Sequence, residues 1–252
     1  DSSTCAGAEG DRMSLPMIFL HGWGQSKQVW HRQMEAFPEA LFLNLPGHGD
    51  TAEDSNWIEA VGNQLPDSPS MIVGWSMGGM VAMQLALQYP EKIAGLVLVS
   101  TTPLFCQQEG WESGCNSELF EAFENGVQSN SAKTMSRFFA MMLHGNELSR
   151  SEYNQIAREA IDRSTPPSIT TLKTGLEYLA KTDLRKALGK LNQPTFIVHG
   201  SDDAIIPVAA GQFLAEHIPD SQWHIFEQCG HAPFLTHTNE FNELAERWCL
   251  TI

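Results

Sequence analysis

Basic side chains are scarce in this chain. Only 15 Lys and Arg stand against 30 Asp and Glu in 252 residues, a formal charge of -15 at pH 7. A surface so negative repels phosphate backbones and argues against nucleic-acid binding. Long apolar runs are also missing, since none approaches the roughly 18 residues that a membrane span needs. The five cysteines (Cys5, Cys106, Cys115, Cys229, Cys249) are scattered and form no CxxC. They read as reduced thiols of a cytoplasmic protein, not as a disulfide framework or a zinc site. Residues 1–16 lack the basic start and apolar stretch of an export signal. Being small, polar and Gly-bearing, they are expected to form a poorly ordered arm. No internal repeat, low-complexity tract, metal cluster or nucleotide loop is present, so neither a metal nor a cofactor is expected.

What is present suits a folded domain. Hydrophobic residues make up 42% of the chain, with 13 Phe, 7 Trp and 10 Met, which argues against a disordered chain. Met17–Leu20, Leu41–Leu45, Met71–Gly74 and Leu96–Val99 are short apolar runs bounded by Gly, Pro, Asn or Ser. Helical patterns lie between them at Val29–Phe37, Trp57–Leu65 and Met77–Tyr89. The alternation resumes with Thr195–His199, Ala209–His217, Trp223–Phe226 and Asn239–Cys249. Short apolar strands alternating with helices predict an α/β fold, a mostly parallel sheet of about six strands with helices on both faces.

Between Thr101 and Leu191 no strand is apparent, and four helices are expected instead. The first follows Ser117, with Leu119, Phe120, Phe123 and Val127 on one face. The second spans about Ala132–Leu143, and the third opens on a capping box of Ser149 and Glu152. The fourth is expected to start at Thr165-Pro166, with Ile169, Leu172, Leu176 and Leu179 at helical spacing. The chain therefore divides into a core of residues 17–103 and 191–252 and a helical lid of residues 104–190.

Gly74-Trp75-Ser76-Met77-Gly78 matches G-x-S-x-G. Three fixed positions arise by chance in roughly one chain in ten of this length, so the motif alone is weak. Its setting is stronger, with a strand before it and a helix after it. A serine on that tight turn stands above the sheet at the positive end of the helix. A nucleophilic serine needs a base, and the base an orienting acid, in the order Ser, Asp or Glu, His. His199-Gly200-Ser201-Asp202-Asp203 follows the fifth strand and Cys229-Gly230-His231 the sixth. Both fall on loops at strand carboxyl ends, where open α/β sheets place their sites. The oxyanion hole is expected from the N–H of Met77 and from the loop His21-Gly22-Trp23-Gly24, through the Trp23 N–H. His21 and His48 are read as loop organisers, and Cys229 as a bystander.

HGWG, LPGHG, GWSMGG, HGSDDAIIP and GHAPF together resemble an α/β-hydrolase over about residues 17–252. GWSMGGMVAMQLALQYPEKIAGLVLVSTTPLF, MSRFFAMMLHG and TGLEYLAKTDLR resemble, more narrowly, the pimeloyl-[acyl-carrier protein] methyl ester esterases of biotin synthesis. That resemblance implies a Ser76, Asp203 and His231 triad, with Asp203 chosen over Asp202 by its distance from Pro207. It implies an oxyanion hole at Trp23 and Met77, and an acyl pocket lined by Phe138, Phe139, Ala140, Met141 and Met142. Among these, Phe138 and Met142 share one helical stripe. It further implies an acyl carrier protein as partner, met by Arg137 and Arg150, with Arg158 standing in where Asn154 departs from the pattern. The expected chain is a cytoplasmic monomer. The superfamily's opening β-hairpin is not legible in residues 1–16. The alternatives are a general short-chain esterase, lactonase or thioesterase, or a binding module on the same fold. The complete set of chemical residues weighs against the last. Residues 133–190 hold ten basic and six acidic side chains, so that part of the lid is about +4 and the remainder of the chain -19.

Overall fold

The computed structural model describes residues 14–252. The expectations for residues 1–13 lie outside that range. From Ser14 the chain runs directly into the sheet, where the Pro16 carbonyl accepts the Met71 N–H at 2.8 Å. Strand β1 (Met17–Leu20) leads through a 3-10 turn and α1 (His31–Ala36) to β2 (Leu41–Leu43). Helix α2 (Trp57–Gly62) returns to β3 (Ser70–Trp75), and α3 (Met77–Gln88) leads to β4 (Ile93–Val99). The lid follows as α4 (Ser117–Met142), α5 (Arg150–Ala160) and α6 (Ile169–Lys181). The chain re-enters the sheet with β5 (Thr195–Gly200), α7 (Val208–His217) and β6 (Ser221–Phe226), and ends on α8 (Pro233–Thr236) and α9 (Thr238–Cys249).

The six strands pair in the order β2-β1-β3-β4-β5-β6, every neighbour parallel. This is the expected doubly covered sheet. Its central strand β3 is buried at all six positions, while Leu41 on the edge strand β2 is 42% exposed. The direction of winding reverses between β1 and β3. Loops leaving the carboxyl ends of those two strands diverge, which opens a crevice there. Both the loop after β1 and the serine turn after β3 border that crevice.

Two details of the lid differ from the sequence reading. The first two helices run on as one element, α4, bent where Asn130 leaves helical geometry at φ -158°, ψ 84°. The Asn130 side chain caps the second half by accepting the Lys133 N–H at 3.0 Å. The last lid helix begins at Ile169 and not at Thr165-Pro166. Thr165 is held in a turn by Asp162, its hydroxyl donating to Oδ2 at 2.6 Å. Pro167 also disfavours helical geometry at Pro166, so Ser168 becomes the cap, accepting the Thr171 N–H at 3.0 Å. Leu172, Leu176 and Leu179 are buried as expected, whereas Ile169 is exposed.

At the root of the lid its two connections are joined. Leu104 and Asp183 form an antiparallel bridge, and the Leu184 N–H donates to the Pro103 carbonyl at 2.8 Å. Farther out, Arg32 donates to Glu159 of α5 at 3.0 Å and to the Leu235 carbonyl at 2.7 Å. No helix among the described residues is long and apolar enough to cross a membrane.

Candidate active site

Ser76 sits between β3 and α3 at φ 55°, ψ -120°, a backbone conformation that residues with a side chain rarely adopt. Its neighbours over-determine it. The Ser76 N–H donates to the Val99 carbonyl at 2.9 Å, and the Thr101 hydroxyl donates to the Ser76 carbonyl at 2.6 Å. Such strain persists where the surroundings enforce it, and it lifts the hydroxyl out of the sheet. Gly78 completes the turn, because a Cβ there would come within 2.4 Å of the His21 carbonyl oxygen. The close approach seats the start of α3 against the end of β1.

The loop after β1 is thereby drawn over the serine. His21 organises it: Nε2 accepts the Leu45 N–H at 3.0 Å, so Nδ1 carries the proton and donates to the Gly22 carbonyl at 2.8 Å. Burial, reinforced by the neighbouring His48, lowers the His21 pKa well below the ordinary imidazole value. His48 is likewise lowered by burial, to about 4. Both rings are therefore neutral scaffold. The Trp23 N–H has no acceptor among the described residues. Met77 is the first residue of α3, so its N–H has none within the helix. The Trp23 indole donates to the Leu172 carbonyl of α6 at 2.9 Å, which ties the oxyanion loop to the lid.

Asp203 and His231 come from separate loops and meet. His231 Nδ1 lies 2.7 Å from Asp203 Oδ2, both side chains fully buried. Asp203 Oδ1 accepts the N–H groups of Ile205 and Ile206 at 2.9 Å each. Burial alone would raise the Asp203 pKa. The His231 charge and hydrogen bonds from His199 and His231 outweigh it and hold the carboxyl well below the usual range. Asp202 is exposed and accepts only the Ser201 hydroxyl at 2.9 Å. His231 Nε2 is buried with no protein partner. Trp75, the residue before Ser76, donates its indole N–H to the His231 carbonyl at 2.9 Å. With Nδ1 protonated toward Asp203, the lone pair of Nε2 is free to take a proton.

Three supporting residues were given no role from the sequence. His199 Nε2 donates to the Ile206 carbonyl at 2.9 Å and lies 3.3 Å from Asp203 Oδ2. Thr101 and Trp75 buttress the serine turn and the His231 loop. Only the position of His199, at a strand end four residues before the acid, could have marked it in sequence.

The expected pocket run is divided by the helix. Phe138 packs edge-on to Trp23 with centroids 5.0 Å apart, and Phe139 meets Tyr153 of α5 at 6.2 Å. Met142 is buried and its carbonyl accepts the His231 N–H at 2.9 Å, while Met141 is half-buried. Ala140 is exposed, which corrects its placement in the lining. At 3.6 residues per turn it points roughly 200° away from Phe138. Ser76 is 5% exposed and Trp23 3%, so the lid closes over the site. Arg137, Arg150 and Arg158 are exposed on the lid. No cluster of metal-binding side chains occurs among the described residues.

A family model described as alpha/beta hydrolase fold matches residues 16–238. The chain is 35% identical over 233 residues to a pimeloyl-[acyl-carrier protein] methyl ester esterase of Nitrosomonas europaea, covering 89% of this chain and 92% of that protein. It is 36% identical over 244 residues to the protein of the same name from Aromatoleum aromaticum, covering 91% and 96%. Among solved structures, an esterase from Exiguobacterium antarcticum superposes with a TM-score of 0.82 at 21% identity, over 93% of this chain and 91% of that one.

Proposed function

We propose a reaction from one premise: the chain belongs to the α/β-hydrolase family, within its pimeloyl-[acyl-carrier protein] methyl ester esterase group. It is a serine carboxylesterase that removes the methyl group from pimeloyl-[acyl-carrier protein] methyl ester in biotin synthesis. Ser76 Oγ attacks the ester carbonyl as His231 Nε2 takes its proton. The Trp23 and Met77 N–H groups receive the oxyanion, and Asp203 stabilises the imidazolium. Collapse expels methanol, protonated by His231. Water then attacks the acyl-enzyme with His231 again as base, and the free carboxylate leaves.

The observation that carries the chemistry is the 2.7 Å His231–Asp203 bond, which leaves a buried, unpartnered Nε2 in the loop held by Trp75. The carrier-bound substrate is supported by Arg137, Arg150 and Arg158, exposed on the lid of an otherwise acidic protein. Phe138 and Met142 are the proposed acyl contacts. The free thiols fit a reducing, cytoplasmic compartment.

The test is hydrolysis of the carrier-bound methyl ester alongside labelling by a fluorophosphonate. One label at Ser76, and turnover lost by several orders of magnitude in Ser76→Ala, are expected. Labelling elsewhere would overturn the nucleophile. Rapid cleavage of butyrate esters with no action on the carrier-bound ester would replace this substrate with the short-chain alternative.

A further inference from the structure

Four cysteines lie among the described residues, and none is bonded to another. Two of them lie side by side in the loop that carries the chain from β4 into α4. Cys106 and Cys115 are partners in a parallel bridge. The Cys115 N–H donates to the Phe105 carbonyl at 2.6 Å, and the Gln107 N–H donates to the Cys115 carbonyl at 3.0 Å. Bridge partners send their side chains to the same face, on segments about 4.8 Å apart. A disulfide joins Cα atoms separated by about 4.4–6.8 Å.

The approach is built into the sequence. A Cβ on Gly114 would come within 2.4 Å of the Gln107 nitrogen and 2.6 Å of the Cys106 carbonyl carbon, so only glycine lets Cys115 lie alongside Cys106. At the tip of the loop Gln108 and Trp111 form a second bridge, and the Trp111 indole donates to the Leu104 carbonyl at 2.9 Å. The other two cysteines have no such partner: Cys229 lies against Thr236, at 3.7 Å, and Cys249 ends α9. The ester chemistry uses none of these thiols.

We propose that Cys106 and Cys115 form a dithiol site for low-molecular-weight disulfides such as oxidised glutathione, which convert them to a disulfide within the loop that leads from β4 into the lid. The half-buried Cys106 reacts first. Its thiolate attacks one glutathione sulfur, the glutathione S–S bond breaks, and a glutathione thiolate leaves. The Cys115 thiolate then attacks the Cys106 sulfur of the mixed disulfide and expels the second glutathione. Two protein thiols are oxidised, one glutathione disulfide is reduced to two thiols, and the two protein protons end on those thiols.

Burial, with the nearby Glu124, pushes the Cys106 thiol up to about 11. Burial, with Cys106 and Asp203 adding, pushes Cys115 up to about 12. Thiolate is therefore scarce at neutral pH, and the exchange gains about tenfold per pH unit below those values. The product closes the β4–α4 loop beside the Leu104–Asp183 bridge.

The test treats the Cys5→Ser chain with oxidised glutathione at pH 8.5, blocks remaining thiols with N-ethylmaleimide, and maps peptides without reduction. A peptide linking Cys106 to Cys115 is expected, with the intact mass lower by two hydrogens before blocking and restored by dithiothreitol. Cys115→Ser should stop at a glutathione adduct on Cys106. Closing this short loop should raise Tm by about 5 °C. A stable adduct on Cys106 of the Cys5→Ser chain, a link to a different cysteine, or both thiols still free at pH 9.5 would each overturn the proposal.

Discussion

Asp203 turns inward and Asp202 outward on one loop, and their substitutions should separate accordingly. Asp203→Asn removes the charge that holds the His231 tautomer, and kcat on a neutral ester should fall by at least several hundredfold. Asp202→Asn should stay within about threefold, since that residue accepts only a neighbouring hydroxyl. Steady-state kinetics on both variants checks the ranking, and the reverse order would reassign the acid. The depressed Asp203 pKa also has a stability consequence. Its contribution is complete above the ordinary carboxylate pKa of about 4 and is lost as pH falls through the lower folded value. Thermal melts of Asp203→Asn should therefore flatten between about pH 4 and pH 2. His199 acts through Asp203 as a positioning residue. His199→Phe should lower kcat about tenfold with little change in KM, and His199→Gln, which keeps an N–H donor, should recover most of it. Equal kcat in both variants would reduce His199 to packing.

Element by element, the lid is held by discrete polar fastenings on an apolar seat. Ser149 and Glu152 form the capping box of α5, with Ser149 Oγ accepting the Glu152 N–H at 3.1 Å. Glu159, the penultimate residue of the same helix, bonds His31 at 2.8 Å and Arg32 at 3.0 Å. Partial burial works to raise its pKa, but hydrogen bonds from Gln155, Arg32 and His31, with the Arg32 charge, carry it down to about 2. The latch is complete above the ordinary Glu pKa of about 4.3 and loosens as pH falls toward the folded value. Glu159→Gln should speed hydrogen exchange across α5 near neutral pH. That difference from the parent should shrink by about pH 2, and a pH-independent difference would trace it to packing instead.

Across the whole molecule the charge is uneven. Arg137, Arg150 and Arg158 project from a lid segment of about +4 on a remainder of -19. Opposite local fields would steer an acidic partner to residues 133–190 while the rest of the surface repels it. Reversing the three charges should cut kcat/KM for a carrier-bound ester tenfold or more at low salt and leave a small neutral ester nearly unchanged. Ionic strength near 0.5 M should remove most of that difference, since screening there acts within roughly 4 Å. A parallel response of the two substrates would make these arginines an ordinary solvated face.

The sequence by itself determined the features that are local or periodic. Six short apolar runs became six parallel strands, the inner ones nearly continuous in hydrophobicity because they are buried on both faces. The glycines around Ser76 marked a turn that only a Cβ-free neighbour permits, and the Ser149–Glu152 box marked a helix start. Tertiary structure decided what depends on distant partners. It turned Asp203 inward, since the amides of Ile205 and Ile206 and two histidines converge on one of two adjacent aspartates. It moved the start of α6 to Ile169 through the Asp162–Thr165 turn, and it ran two expected helices together through Asn130. It set Ala140 outside, because the orientation of the second half of α4 follows from Trp23 packing on Phe138. It also laid Cys115 beside Cys106, where spacing in the chain carried no signal. Periodicity tells a segment which residues share a face, but only the fold chooses what that face will meet.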